Sequence, residues 1–87
     1  MNFLHYDVTL SMGDQVVVSL DKQANVLLLD NSNFSSYKAG GRYKYFGGLA
    51  KVSPISIIAP SSGQWHVVIN TGGYVSSVRA SVEVRRC

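Results

Sequence analysis

The sequence predicts an all-β fold: a single-domain antiparallel β-sandwich, jelly-roll-like, of about seven or eight short strands spanning residues 1–87. Three observations predict it. Apolar residues alternate with polar ones in several segments, the period-2 signature of half-buried strands. Turn-forming residues interrupt these segments roughly every 8–12 residues. Helix signals are few. A small barrel would satisfy the same pattern.

The elements follow in order. Leu4–Leu10 places Leu4, Tyr6, Val8 and Leu10 on one face, and Ser11-Met12-Gly13-Asp14 follows as a turn. Gln15–Leu20 (QVVVSL) and Asn25–Asp30 (NVLLLD) are β-branched or leucine-rich runs joined by the turn-sized DKQA. Asp30 or Asn31 can cap a single helical turn through Ser32–Tyr37, with Gly40-Gly41 ending it. Arg42–Val52 is a strand candidate distorted by Gly47-Gly48, a pair that suggests a bulge or bend. Pro54 cannot donate to a ladder, so it precedes the strand Ile55–Ala59, which Pro60 and SSG close. Trp65–Asn70 (WHVVIN) sets Trp65, Val67 and Ile69 on one face, with Trp65 as a core anchor, and Thr71-Gly72-Gly73 breaks it. Val78–Val84 alternates most cleanly, with Val78, Ala80, Val82 and Val84 pointing one way.

The segment Phe34–Phe46, FSSYKAGGRYKYF, dominates the functional reading. It holds five of the nine aromatics, interleaved with Lys38, Arg42 and Lys44, and no Asp or Glu occurs between Asp30 and Glu83. Such a segment can hold an anion, a sugar or a nucleic acid, or it can tuck its rings onto a thin core. The net charge of +3 is uneven. Residues 1–30 carry four aspartates against Lys22, and residues 31–87 carry seven bases against Glu83. Antiparallel pairing can interleave the halves, so the surface is either mixed with one basic end or carries a basic face. Alternation along 43–46 puts Tyr43 and Tyr45 on one face and Lys44 and Phe46 on the other.

Catalysis is poorly supported. Asp14, Asp21 and Asp30 sit at turn-like positions, which explains them without function, and only Asp7 falls near a strand centre. His5 and His66 lie on separate strands and can meet if those strands pair, but two histidines are an incomplete metal set. A pocket in which Asp7, His5 and His66 converge would reopen the question of an enzyme. No G-x-S-x-G elbow is present, and neither Gly40-Gly41 nor Gly72-Gly73 has phosphate-loop spacing. Double glycines in a β-protein serve positive φ or close backbone approach. No cofactor or metal is called for. The single cysteine, Cys87, is read as an idle, frayed terminus and fits a reducing, cytoplasmic compartment. The N-terminus lacks the basic region of a secretory signal, and no apolar run reaches the roughly 18 residues of a membrane span.

Several ordered blocks, MNFLHYDVTL, LDKQANVLLLDNSNFSSY, GGRYKYFGG and SGQWHVVINTGGYVSSVRASVEV, resemble a bacterial family known as domain of unknown function 1883. The resemblance covers nearly the whole chain. It implies a compact β-sandwich, found alone or joined to TIR-type signalling domains, that senses or binds a partner. It supplies no catalytic residues. The family's recurring features fall here on Asn33, Tyr37, Tyr43, Tyr45, Gly47, Gly48, Trp65, His66, Gly72, Gly73 and Tyr74.

The resulting expectation is a non-catalytic binding or sensing module. Tyr37, Lys38, Arg42, Tyr43, Lys44 and Tyr45 are its candidate contact residues. A protein partner or self-association comes first, and a small anionic, nucleotide or carbohydrate ligand second. Nucleic acid is disfavoured, because eight bases is a low count and no RNA or DNA motif is recognisable.

Overall fold

The computed structural model describes residues 3–72 and 78–87. Gly73 and Tyr74, both singled out in the sequence, lie outside the described residues. Seven strands and one helix run in the order β1 (Leu4–Leu10), β2 (Gln15–Leu20), β3 (Ala24–Leu29), α1 (Asn31–Ala39), β4 (Phe46–Ala50), β5 (Ile55–Ile58), β6 (Gly63–Asn70) and β7 (Ala80–Arg85). They form two antiparallel sheets, ordered β1-β6-β3-β4 and β5-β2-β7. The sandwich reading holds, and the two separate sheets dispose of the barrel.

The main core lies between the sheets. Val26 and Leu28 of β3 and Trp65, Val67 and Ile69 of β6 face Val16 and Val18 of β2. Val78, Ala80, Val82 and Val84 pack against this cluster, as the alternation requires. A second, smaller core lies on the outer face of the four-stranded sheet. There Leu27, Leu29 and Val68 are covered by Phe34 and Tyr37 of α1. The centre of this sheet is therefore buried on both faces. That explains why VLLL and VVI read as continuous apolar runs while β1, uncovered along part of its outer face, alternates.

The helix is longer than the single turn expected. Its sequence, NSNFSSYKA, is poor in strong helix formers. Its ends are well made instead. The Asp30 side chain accepts from the Asn33 backbone N–H at 2.7 Å, and Gly40 closes the helix at φ +79°. The Gly40 N–H donates to the Tyr37 carbonyl and the Gly41 N–H to the Ser36 carbonyl. Tertiary packing of Phe34 and Tyr37 supplies the rest.

Two sequence expectations are corrected. Residues 42–45 do not join a strand, which begins only at Phe46. The Lys44 N–H donates to Asn33 Oδ1 at 2.8 Å, and Tyr43 turns onto Tyr37, so this stretch is tied to the helix rather than to a ladder. Cys87 is exposed but not frayed. Its backbone N–H donates to Asp14 Oδ1 at 2.9 Å.

Asp14 is more than a turn residue. Its carboxylate is buried at 2% exposure. It accepts from the Ser11 N–H, the Cys87 N–H and the Arg86 guanidinium, which ties the C-terminal strand to the β1–β2 turn. These donors, the two backbone N–H groups first, lower its pKa from 3.8 to about 2. A depressed carboxylate adds stability above its unfolded pKa and loses it as pH falls through the folded one. Melting curves of the wild type should therefore drop between pH 3.8 and about 2. Asp14→Asn should melt lower at neutral pH and lack that component of the drop. Parallel pH profiles for the two proteins would refute the assignment.

Candidate functional site

The outer face of the four-stranded sheet carries a cluster of three chemistry-bearing side chains. The β1–β6 register sets Asp7 directly opposite His66, and His5 lies two residues from Asp7 on the same face. Side chains at such positions reach one another across the pair. His66 Nδ1 lies 2.9 Å from Asp7 Oδ1 and 2.9 Å from His5 Nε2, and His5 Nε2 lies 3.2 Å from Asp7 Oδ1. His66 is buried, while the Asp7 side chain is 62% exposed. The three side chains whose meeting in a pocket would reopen the question of an enzyme do converge, on an open rim of the sheet.

Helix α1 organises this cluster from above. Asn31 Oδ1, in its first turn, sits 2.5 Å from His66 Nε2 and accepts a hydrogen bond from its N–H. This assigns the lone pair of His66 to Nδ1, facing Asp7. The Phe34 ring stacks on both imidazoles, with centroids 4.2 Å from His5 and 4.3 Å from His66. Lys38 Nζ lies 4.6 Å from the centroid of the Phe34 ring. Burial pushes the His66 imidazole below its ordinary pKa, against the opposing pull of the Asp7 carboxylate.

The six residues chosen from the sequence are not all available at the surface. Tyr37 is buried, and its hydroxyl accepts from Asn70 Nδ2 at 3.0 Å. Burial raises its pKa, with the Asn70 hydrogen bond opposing. Tyr43 is half-buried, edge-on to Tyr37 at 5.1 Å and in ring contact with Tyr45 at 5.8 Å. The rings thus run from the small core outward to Tyr45, which is exposed. Lys38, Arg42 and Lys44 are exposed.

A second feature was visible only in the fold. β4 ends the four-stranded sheet and β5 ends the three-stranded one. Of the six exposed large hydrophobics among the described residues, Tyr45, Phe46, Leu49, Val52 and Ile58 lie on these two edge strands or within two residues of β4. Phe46, opposite the core residue Leu28, reaches edge-on to Trp65 at 6.0 Å, whereas Leu49, opposite Asn25, stands on the other face of the sheet.

These features define a small two-sheet β-sandwich whose outer face is capped by one helix, with a polar cluster at the helix rim. The family model described as Domain of unknown function (DUF1883) matches residues 1–87, and the chain belongs to this family. No curated protein and no solved structure matches it. Among the described residues no helix is long and apolar enough to cross a membrane.

Proposed function

We propose that this chain is a non-catalytic interaction module that pairs through its β4–β5 side, most simply with a second copy of itself. The observation that carries the reading is that Tyr45, Phe46, Leu49, Val52 and Ile58 are exposed on, or within two residues of, the edge strands β4 and β5, which lie beside each other. Edge strands present unpaired backbone groups, and an apolar rim beside them marks an association surface. Pairing here would add backbone hydrogen bonds to apolar burial. The openness of the His5–Asp7–His66 cluster favours holding a ligand over chemistry that requires exclusion of water.

Light scattering coupled to size exclusion tests it, over a concentration series at low and high salt. Association should be concentration-dependent and only weakly salt-sensitive. Leu49→Lys, at an exposed β4 position, should weaken it more than about tenfold without lowering the melting temperature. A monomer at every concentration and salt would overturn self-pairing.

A second reading rests on charge. Lys38, Arg42 and Lys44 are exposed in a stretch with no acid from residue 31 to residue 82. An anionic ligand held there would bind with steep salt dependence and be lost in Arg42→Ala. A sugar stacked on Tyr43 and Tyr45 would bind without it.

A further inference from the structure

We infer that His5 Nε2, His66 Nδ1 and Asp7 Oδ1 form a binding site for one divalent transition-metal ion of the zinc class, with its remaining coordination positions open to solvent. The inference is independent of the edge-pairing reading, because the two use different residues.

The first support is geometric. The three ligand atoms lie within 4.8 Å of one another, with separations of 2.9, 2.9 and 3.2 Å. Nitrogen and oxygen ligands sit roughly 2.0–2.2 Å from zinc, so two ligands at right angles are separated by about 3.0 Å and tetrahedral ones by about 3.4 Å. The observed triangle is close to one face of such a coordination shell. Two imidazoles and a carboxylate are the donor set that zinc, cobalt, nickel and iron accept.

The second support is hydrogen-bond accounting. His66 Nε2–H donates a hydrogen bond to Asn31 Oδ1, which leaves a lone pair on Nδ1. That nitrogen lies 2.9 Å from Asp7 Oδ1, itself an acceptor, and 2.9 Å from His5 Nε2. His5 Nε2 can bring one proton to two acceptors. A cation at the centre satisfies all three atoms.

The third support is preorganisation. All three ligands stand on two paired strands rather than on loops. Asn31 fixes the tautomer of His66, the outer-shell role that metal-bound histidines require. Phe34 holds the planes of both imidazoles. On the solvent side the site is open, since the His5 and Asp7 side chains are 30% and 62% exposed. A site with three protein ligands and free positions would take water or an oxygen ligand from outside.

The test uses the tag-free, chelator-treated full chain, titrated with zinc by calorimetry and with cobalt by visible absorption. One equivalent should bind, zinc should raise the melting temperature, and the ring NMR signals of His5 and His66 should shift. Asp7→Asn and His5→Gln, at exposed positions that the fold tolerates, should each weaken binding more than about tenfold. Asn31→Ala, which touches no metal, should weaken it by about 10–100-fold. Cys87→Ser should leave it unchanged. The site is refuted by a folded wild type that shows no saturable binding of zinc or cobalt. Binding that survives both Asp7→Asn and His5→Gln, or that disappears in Cys87→Ser, refutes it equally.

Discussion

Replacing Gly47 by alanine is expected to lower stability by about 3 kcal/mol or more, roughly 12–24 °C in melting temperature for a domain of this size. Two costs act together. Gly47 has φ +113°, a conformation that residues with a side chain rarely adopt. Its added Cβ would also stand 2.3 Å from the Val26 carbonyl oxygen and 3.0 Å from Ile57 Cδ1. Neither neighbour gives easily. Val26 is fully buried in β3, which is held between β4 and β6, and Ile57 is part of the main core. Gly48 provides the control. It has φ +143° but nothing within 4 Å of its Cβ position, so Gly48→Ala bears backbone strain alone, on the order of 1–2 kcal/mol. Thermal melts of both variants decide the matter. Equal losses would mean that the approach of β4 to Val26 contributes nothing, and the steric part of the argument would fall.

The glycine pair shows what the sequence could and could not disclose. Gly47-Gly48 read as a bulge or bend, and both glycines do take positive φ. Which of the two meets a neighbouring backbone depends on β3–β4 pairing and cannot be read locally. The same division runs through the fold. β1 and β7 alternate because one face of each is exposed to water, so the inward faces of both and the bounds of β1 were legible, whereas β7 runs from Ala80 to Arg85 rather than from Val78 to Val84. The helix was underestimated because its residues are weak helix formers and its stability comes from the sheet below Phe34 and Tyr37. Residues 42–45 were misjudged because one long-range hydrogen bond from the Lys44 N–H to Asn33 overrides their alternation.

The polar cluster divides in the same way. His5 and Asp7, at i and i+2 on the polar face of a strand, were legible as neighbours. His66 lies 61 residues from His5, and only the β1–β6 register brings it between them. Asn31 was read as a possible cap, but Asp30 caps the helix and Asn31 is left to accept from His66. A His-x-Asp pair on the solvent face of a strand was the one local signal available. Asp14 offered none, because its partners Arg86 and Cys87 reach it from the far end of the chain.

Phe34→Ala is expected to cost about 3 kcal/mol and to release the helix before the rest of the domain unfolds. Phe34 is 7% exposed and touches Phe3, His5 and His66 by ring contact while sealing Leu27, Leu29 and Val68. A nine-residue helix is marginal in water without such packing. Its loss should therefore appear as accelerated amide exchange confined to residues 34–40, with the strand amides of β3 and β6 still protected. Wild-type exchange in this segment would show that the caps at Asp30 and Gly40 suffice, and that Phe34 is not the anchor. Phe34→Leu separates packing from site geometry. Leucine keeps much of the apolar burial, so stability should fall by only about 1 kcal/mol. It cannot stack on the imidazoles, so the planes of His5 and His66 lose their common support. Zinc affinity should then fall while the fold persists, whereas Phe34→Ala should lose both together because Asn31 leaves with the helix. One side chain would then join the small core to the polar cluster, and that coupling gives a physical reason for a weakly helical segment to be docked on this face of the sheet.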